Sequence, residues 1–202
     1  MSTSVPTLNV VVASTRPGRS GEQIGRWFTG VARAQDAFDV RVIDLAELRL
    51  PFLDEPLPAV EGEPYEHEHT RFWSELTASA DAFVFVMPEY NQGYTAPLKN
   101  ALDFLYSEWV DKPVAFVSYG MKSGGLRAVQ AIKPVVSALK MMPIEESVTI
   151  HLRQTMKPDG EWVPTAALHE AAIATLDELL RVSRVFAALR AHHGMAALDA
   201  VG

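Results

Sequence analysis

The chain has 202 residues, of which 48% are hydrophobic, enough to bury the core of one domain. Its formal net charge of -7 argues against sequence-independent binding to nucleic acid, and no apolar run approaches the roughly 20 residues needed to cross a bilayer. The absence of cysteine excludes disulfides, thiolate nucleophiles and zinc–sulfur sites.

Hydrophobic periodicity predicts strands that alternate with helices along the whole chain. From the N-terminus, a strand at residues 8–13 precedes a helix at about 21–34, a strand at 38–45 and a long loop rich in proline. A helix at about 66–79, a strand at 82–87 and a helix starting near residue 97 follow, then a strand at 113–119 and a helix at 124–139. A strand at 147–152 and a helix at 165–191 complete the pattern. We therefore expect parallel βαβ units in one α/β domain, with a five-stranded, doubly wound parallel sheet and helices on both faces.

No repeat, low-complexity segment or linker divides the chain, so residues 1–202 are predicted to form a single domain, with residues 1–7 and 192–202 as flexible tails. We expect a cytoplasmic location, because the N-terminus lacks the pattern of a signal sequence and cysteine is absent. We expect no nucleic acid, membrane or metal among the partners.

The loop at residues 14–20 lies between the first strand and the first helix, and helix N-termini attract anions because their N–H groups are unpaired. Ser14 and Ser20 add hydroxyl donors, and Arg16 and Arg19 can pair with phosphate oxygens. The glycine patterns of dinucleotide sites and of P-loops are both absent. The loop therefore predicts a monophosphate site, and the alternative is a solvated turn whose serines cap the helix.

Two further loops follow the third and fourth predicted strands. One begins with Pro88, Glu89, Tyr90 and Asn91, and the other, residues 118–125, ends in a glycine pair. The carboxyl ends of parallel strands meet at one edge of the sheet, where ligands of open α/β folds bind. The three loops together suit flavin mononucleotide (FMN). The first loop offers hydrogen-bond donors for a phosphate, the second a tyrosine and an amide, and the glycine-rich third loop backbone N–H groups.

Three patterns in these loops resemble those of a known family. Pro88-Glu89-Tyr90-Asn91 looks like its P-E-Y-N segment, residues 97–103 look like its L-K-N-A-[LI]-D helix start, and residues 14–20 look like its S-x-R-x-x-S loop with one residue added. From about residue 8 to residue 152, the chain thus resembles the NAD(P)H-dependent FMN reductase family of the flavodoxin-like fold, which includes azo-dye, quinone and chromate reductases. Between Asn91 and Leu98 it departs from the Ser and Pro-Gly that the family often has.

The resemblance implies a flavodoxin-like three-layer sandwich in which the first loop holds the FMN phosphate, residues 89–91 contact the flavin and residues 118–125 lie along its ring. It also implies NAD(P)H as co-substrate, a small-molecule electron acceptor such as FMN, a quinone or an azo compound, and a homodimer or homotetramer. The expected cofactor-binding residues are Ser14, Arg16, Arg19, Ser20, Pro88, Glu89, Tyr90, Asn91, Ser118, Tyr119, Gly120, Gly124 and Gly125.

No catalytic side chain is expected, because the flavin itself carries the chemistry. The alternative hypothesis is a flavodoxin-type electron carrier, which binds FMN but exchanges single electrons with a protein partner. Arg16 and Arg19 disfavour it, since such carriers usually have a threonine-rich phosphate loop. A phosphate-ester hydrolase on the same fold is a third hypothesis, and it predicts a colourless protein.

Two other segments allow more than one interpretation. Residues 104–110 hold several bulky side chains and are either a self-association surface or ordinary core packing. His67 and His69 could mimic a metal chelate, but side chains two apart on a helix do not share a face, which favours a solvated helix start.

Overall fold

The computed structural model describes residues 5–199, and side chains over residues 5–192. Its sheet contains five parallel strands, β1 (Thr7–Val12), β2 (Asp39–Asp44), β3 (Ala82–Pro88), β4 (Pro113–Gly120) and β5 (Met142–His151). Their order across the sheet is β2-β1-β3-β4-β5, one of the orders of doubly wound, flavodoxin-like folds. The predicted five-stranded parallel sheet is therefore confirmed, although β5 begins at Met142, earlier than its periodicity indicates.

The described residues contain seven α-helices: α1 (Gly21–Ala34), α2 (Leu45–Leu48), α3 (Glu68–Ala78), α4 (Ala96–Asp103), α5 (Leu126–Ala138), α6 (Leu152–Thr155) and α7 (Ala166–Asp199). The short helices α2 and α6 escape sequence-based prediction because so few residues show no helical period. The last helix runs past its predicted end to Asp199, so the tail predicted from residue 192 is helical that far. Thr7, in the predicted N-terminal tail, already belongs to β1. The rest of the predicted tails, apart from residues 5 and 6, lies outside the described residues.

The central strand β3 shows why helices cover both faces of the sheet. All its side chains are buried, and successive side chains of a strand point to opposite faces. Phe83 and Phe85 join the core cluster under α3, α4 and α5, whereas Val84 and Val86 join the cluster under α1 and α7. The three-layer sandwich thus follows from a strand that is apolar on both sides.

Residues 104–110 belong to the first of these clusters. Phe104, Leu105 and Trp109 are at most 1% exposed. The Trp109 indole N–H donates to the Leu102 carbonyl at 3.2 Å, and its ring meets the ring of Phe83 edge-on at 5.1 Å between centroids. For these three residues the interpretation as core packing is confirmed, and their use as a self-association surface is wrong.

A buried lysine lies at the opposite edge of the sheet from the three loops. Lys112 directly precedes β4, is 5% exposed, and donates to the carbonyls of Thr77 (2.7 Å) and Ala78 (2.9 Å) at the end of α3. Carbonyls in a last helical turn lack partners within the helix, so the ammonium caps α3. Burial lowers the pKa of Lys112 to about 8, and the positive charge of Arg190 acts in the same direction, against two nearby carboxylates.

Deprotonation of Lys112 in the folded protein should raise the free energy of unfolding by about 2 kcal/mol between about pH 7 and pH 9.5. The folded lysine loses its proton from about pH 8, whereas the unfolded one keeps it to about pH 10.5, so the unfolded chain binds more protons in this window. Urea unfolding of the wild type and of Lys112→Met at both pH values measures the effect. The rise should be missing from the variant, and an equal rise in both proteins would contradict the assignment.

Candidate functional site

The three predicted loops meet at the carboxyl edge of β1, β3 and β4, around a cavity of about 520 Å³. Eight of the residues expected to bind a cofactor line it: Arg16, Arg19, Ser20, Pro88, Glu89, Tyr90, Tyr119 and Gly120. The chain leaves β1 towards β2 on one side, and β3 lies on the other, so the loops after β1 and β3 diverge and leave a crevice. Ligands of open α/β sheets bind at such a point.

The first loop carries two arginines in different surroundings. Arg19 forms an ion pair with Asp44 at the end of β2, and the two side chains are only 14% and 12% exposed. Arg16 is exposed and makes no ion pair or hydrogen bond with the described residues. Ser20 directly precedes α1, whose first N–H groups have no partner within the helix. Arg16 and the start of α1 are therefore available to an anion.

Two buried hydroxyls lie beneath the start of α1. Ser14 is fully buried and Tyr119 is 4% exposed. A Cβ atom placed on Gly21 would lie 2.2 Å from Ser14 Oγ and 2.5 Å from Tyr119 Oη, so the tyrosine reaches from β4 to the first loop. Burial raises the pKa of the Tyr119 phenol well above its ordinary value, although a hydrogen bond with Ser14 acts in the opposite direction.

These hydroxyls supply an internal test for a phosphate ligand. Among the described residues, Ser14 Oγ, Tyr119 Oη and Arg19 Nε are buried without a hydrogen-bond partner. The two hydroxyls are close enough to bond each other, and such a bond uses only one of their two protons, so the other proton remains available to a ligand. Each unpaired buried group costs about 1–3 kcal/mol, so three around one loop point to a ligand. Because a phosphate dianion only accepts hydrogen bonds, these donors fit the phosphate of FMN.

Tyr119→Phe should weaken FMN binding about tenfold or more and leave riboflavin binding unchanged, because riboflavin has no phosphate. A hydrogen bond to a charged group contributes about 1.5–3 kcal/mol, and phenylalanine keeps the packing of the ring. Fluorescence titration of the flavin-free protein with both flavins measures the two affinities. Equal weakening for both flavins would place the phenol at the ring and not at the phosphate.

The second loop is a tight turn after β3. Tyr90 and Gly93 exchange two backbone hydrogen bonds of 3.0 Å, and the residues between them, Asn91 and Gln92, have left-handed φ values of 50° and 70°. Such backbone is uncommon outside glycine, and strained positions cluster at ligand sites. The turn leaves Tyr90 40% exposed in the cavity wall.

Thr95 anchors this second loop, and the sequence-based site does not include it. Its hydroxyl accepts from the N–H of Leu98 at 3.3 Å as the N-cap of α4, and donates to the Ala13 carbonyl at the end of β1 at 2.8 Å. A threonine before Ala96-Pro97 is a helix-start signal that could have identified it. Thr95 thereby fixes the distance between the first and second loops.

Glu89 joins the second loop to the third. Its carboxylate accepts from the Ser123 hydroxyl and from the Arg127 N–H at 3.1 Å, and the Arg127 guanidinium lies 3.6 Å away. Because α5 begins at Leu126, the carboxylate lies at the N-terminus of that helix, where a negative charge is favoured. Glu89 therefore lines the cavity while its charge holds the third loop in place.

The third loop has its shape because of two glycines. Gly124 and Gly125 have φ values of +64° and +94°, and the Gly124 carbonyl accepts from the hydroxyl of fully buried Ser118 at 3.0 Å. A Cβ on Gly125 would lie 2.6 Å from the backbone nitrogen of Tyr119. These residues bring the loop down against β4, where Gly120 lines the cavity.

Five of the expected cofactor-binding residues do not line the cavity: Ser14, Asn91, Ser118, Gly124 and Gly125. Ser14 is buried at the start of the first loop, and the others shape the second and third loops. Four further wall residues are absent from the expected binding set: Met121, which belongs to the predicted third loop, and Leu152, Arg153 and Met156, which sequence reasoning misses altogether. Leu152, Arg153 and Met156 follow β5, which ends at the cavity because it lies beside β4. The one signal for them in the sequence is Arg153, which directly follows the predicted strand at residues 147–152.

His67 and His69 lie side by side at the start of α3. His67 is the N-cap of α3 with extended backbone, so the two rings stack at 5.2 Å, contrary to the expectation for two helical residues. The His69 ring contacts the Asp54 carboxylate at 2.9 Å, and the His67 ring contacts the Asp54 backbone carbonyl at 3.1 Å. Over residues 5–192 no group of three or more His, Asp or Glu side chains could hold a metal ion. Within the described part of the chain, no helix is long and apolar enough to cross a membrane.

Comparison with known proteins shows the family of the chain. The family model described as NADPH-dependent FMN reductase matches residues 6–155. An NAD(P)H-dependent FMN reductase of Schizosaccharomyces pombe is 44% identical over 137 residues, which cover 67% of this chain and 68% of that protein. One of Saccharomyces cerevisiae is 33% identical over 180 residues, covering 84% of this chain and 93% of the relative.

Among solved structures, the fold is similar to that of a flavoenzyme NAD(P)H:(acceptor) oxidoreductase from Paracoccus denitrificans. The TM-score is 0.70 over 90% of this chain and 99% of that one. Because the two sequences are only 18% identical, the likeness concerns the fold alone.

Proposed function

The chain belongs to the NADPH-dependent FMN reductase family, and from that premise we propose that it is an enzyme that binds FMN in the cavity described above. It takes hydride from NADH or NADPH and reduces a small acceptor such as free flavin, a quinone or an azo compound. The observation that carries the proposal is the group of buried donors around the loop at residues 14–20, Ser14 Oγ, Tyr119 Oη and Arg19 Nε, which the rest of the described chain does not fully satisfy.

In this function the chain's own residues bind and orient. Arg16, Ser20 and the start of α1 hold the phosphate end together with the buried hydroxyls of Ser14 and Tyr119. Tyr90 and Gly120 border the part of the cavity nearest the second and third loops. Bound FMN supplies the hydride chemistry, so no side chain need act as nucleophile or proton donor. The Glu89 carboxylate is already engaged by Ser123 and Arg127, which suits a positioning role.

The visible absorption spectrum of the purified protein, with and without added FMN, is the first test. A protein that binds FMN and oxidises NADPH rapidly when a quinone is added has the proposed function. One that binds FMN but oxidises neither NADH nor NADPH is a flavodoxin-type electron carrier. A protein that stays colourless and does not bind FMN refutes the proposal and favours a hydrolase.

We also propose a homodimer or homotetramer that associates through an apolar surface of the loop before α3. Phe52 is 86% exposed there, and Leu57 and Val60 are 50% and 61% exposed. The amide side chain of Asn100 fixes the backbone around Phe52, donating to the Pro51 carbonyl at 2.6 Å and accepting from the Leu53 N–H at 3.1 Å. Exposed apolar patches on a rigid backbone are typical of protein interfaces.

Phe52→Asp should shift the protein to the monomer mass in sedimentation velocity, because a charge would be buried at the interface. Phe72→Asp on α3 is the control, since Phe72 is also exposed, at 53%, but lies outside the Phe52 loop. A wild-type monomer, or an oligomer that Phe52→Asp leaves intact, would contradict this interface.

A further inference from the structure

The connection from β5 to α7, residues 152–165, is folded and not a simple loop. It begins with α6, and Met156 then pairs with Trp162 in an isolated antiparallel bridge. The Val163 N–H donates to the Thr155 carbonyl at 2.8 Å, and the Trp162 indole N–H donates to the Thr155 hydroxyl at 3.0 Å. These hydrogen bonds give the connection a fixed shape.

This connection is fixed to α1, the helix that starts at the phosphate loop. The rings of Trp162 and Trp27 meet edge-on at 5.2 Å. Gln23 holds two points of the connection, accepting from the Trp162 N–H at 2.9 Å and donating to the Gly160 carbonyl at 3.3 Å. These contacts fix the connection that carries α6 in the wall of the cavity.

Arg153 is the charged residue that α6 brings to this wall. It is exposed and has no ion pair or hydrogen bond with the residues that the structure describes. Two neighbouring cations are paired, Arg19 with Asp44 and Lys157 with Glu161, whereas Arg16, which is also without a partner among the described residues, belongs to the first loop. An arginine without a partner in a cavity wall is suited to an anionic ligand.

The phosphate of FMN does not need Arg153. That phosphate has its own donors in Arg16, Ser20, the start of α1 and the buried hydroxyls of Ser14 and Tyr119. Arg153 comes from a different wall and lies beside apolar Leu152 and Met156. The other ligand of the proposed reaction is a nicotinamide dinucleotide, which carries a pyrophosphate and, in NADPH, a further 2′-phosphate.

We propose that Arg153, held in place by the folded connection between β5 and α7, binds a phosphate group of the nicotinamide dinucleotide. This inference rests on the proposed function. It assigns a dinucleotide contact to the one part of the cavity wall that none of the three predicted loops supplies.

The test uses FMN-loaded protein and the redox-inert analogues tetrahydro-NADPH and tetrahydro-NADH, titrated by calorimetry. Arg153→Gln should raise the dissociation constant of tetrahydro-NADPH about ten- to hundredfold, which is the effect of losing one charge-assisted hydrogen bond. Arg153→Lys should restore part of the affinity, since the charge remains. The control, Lys157→Gln, removes a charge from the same connection that is already paired with Glu161, and it should change neither affinity.

The two analogues distinguish the two possible phosphates. A loss for tetrahydro-NADPH alone assigns Arg153 to the 2′-phosphate, and an equal loss for both assigns it to the pyrophosphate. Unchanged affinity for both, or a loss of FMN affinity in place of dinucleotide affinity, overturns the inference. Failure of the wild type to bind FMN refutes the proposed function, which is a separate result.

Discussion

Gly21→Ala should weaken FMN binding at least about a hundredfold while lowering the free energy of unfolding by about 1–3 kcal/mol. The new methyl would lie 2.2 Å from Ser14 Oγ and 2.5 Å from Tyr119 Oη, so both hydroxyls must move. Ser14 Oγ can rotate away, but Tyr119 Oη lies on the axis of its buried ring, so the whole ring must shift, and the helix preference of alanine offsets only part of this overpacking. Two lost hydrogen bonds to a phosphate cost about 3 kcal/mol or more, which corresponds to that hundredfold.

Gly30→Ala is the matched control, because it makes the same change in the same helix. A Cβ at Gly30 meets nothing within 4 Å, so this variant should bind FMN as the wild type does and gain about 0.5–1 kcal/mol of stability. Fluorescence titration with FMN and urea unfolding measure the two quantities. If both variants bind FMN equally well, the hydroxyls of Ser14 and Tyr119 do not hold the phosphate.

Gly125→Ala should lower the free energy of unfolding by about 4 kcal/mol and abolish tight flavin binding. The residue has a φ of +94°, which costs a non-glycine residue about 1–2 kcal/mol. Its Cβ would also lie 2.6 Å from the Tyr119 backbone nitrogen and from Ser118 Cβ, and a strand backbone cannot rotate away. Overpacking of this kind adds about 1–3 kcal/mol and lifts the third loop off β4.

Gly160→Ala separates the two contributions in this prediction. Gly160 has a similar φ of +87°, but nothing lies within 4 Å of its Cβ position. This variant should therefore lose only the backbone contribution of about 1–2 kcal/mol and still bind FMN. Urea unfolding of both variants measures the difference, and equal losses would show that contact with β4 contributes nothing.

The sheet and the place of the site could be predicted because their signals are local in the sequence. The run at residues 82–87 is apolar at every position, which predicts a strand covered on both faces, and β3 is buried on both faces. The polar loops after the first, third and fourth strands follow from the same pattern, and parallel strands bring such loops to one edge. Eight of the thirteen residues expected to bind a cofactor accordingly line the cavity.

The partners of those residues could not be predicted in the same way, because they come from distant parts of the chain. Thr95 contacts Ala13 across 82 positions, Glu89 contacts Arg127 across 38, and Trp162 contacts Gln23 across 139. Hydrophobic periodicity carries no information on which loops touch. It also cannot distinguish a buried aromatic from an exposed one, so residues 104–110 allowed two interpretations until the packing of Trp109 was known.

By itself, the sequence determined that the chain forms alternating strands and helices with a polar loop after the first strand, because side-chain periodicity and turn residues act over a few neighbouring positions. Only the tertiary structure decided that Tyr119 lies under α1, that the Glu89 carboxylate holds the third loop, and that Arg153 completes the cavity wall. The physical reason is that strand order and helix packing determine which distant side chains become neighbours. Burial by those neighbours then determines which hydroxyls remain donors without a partner.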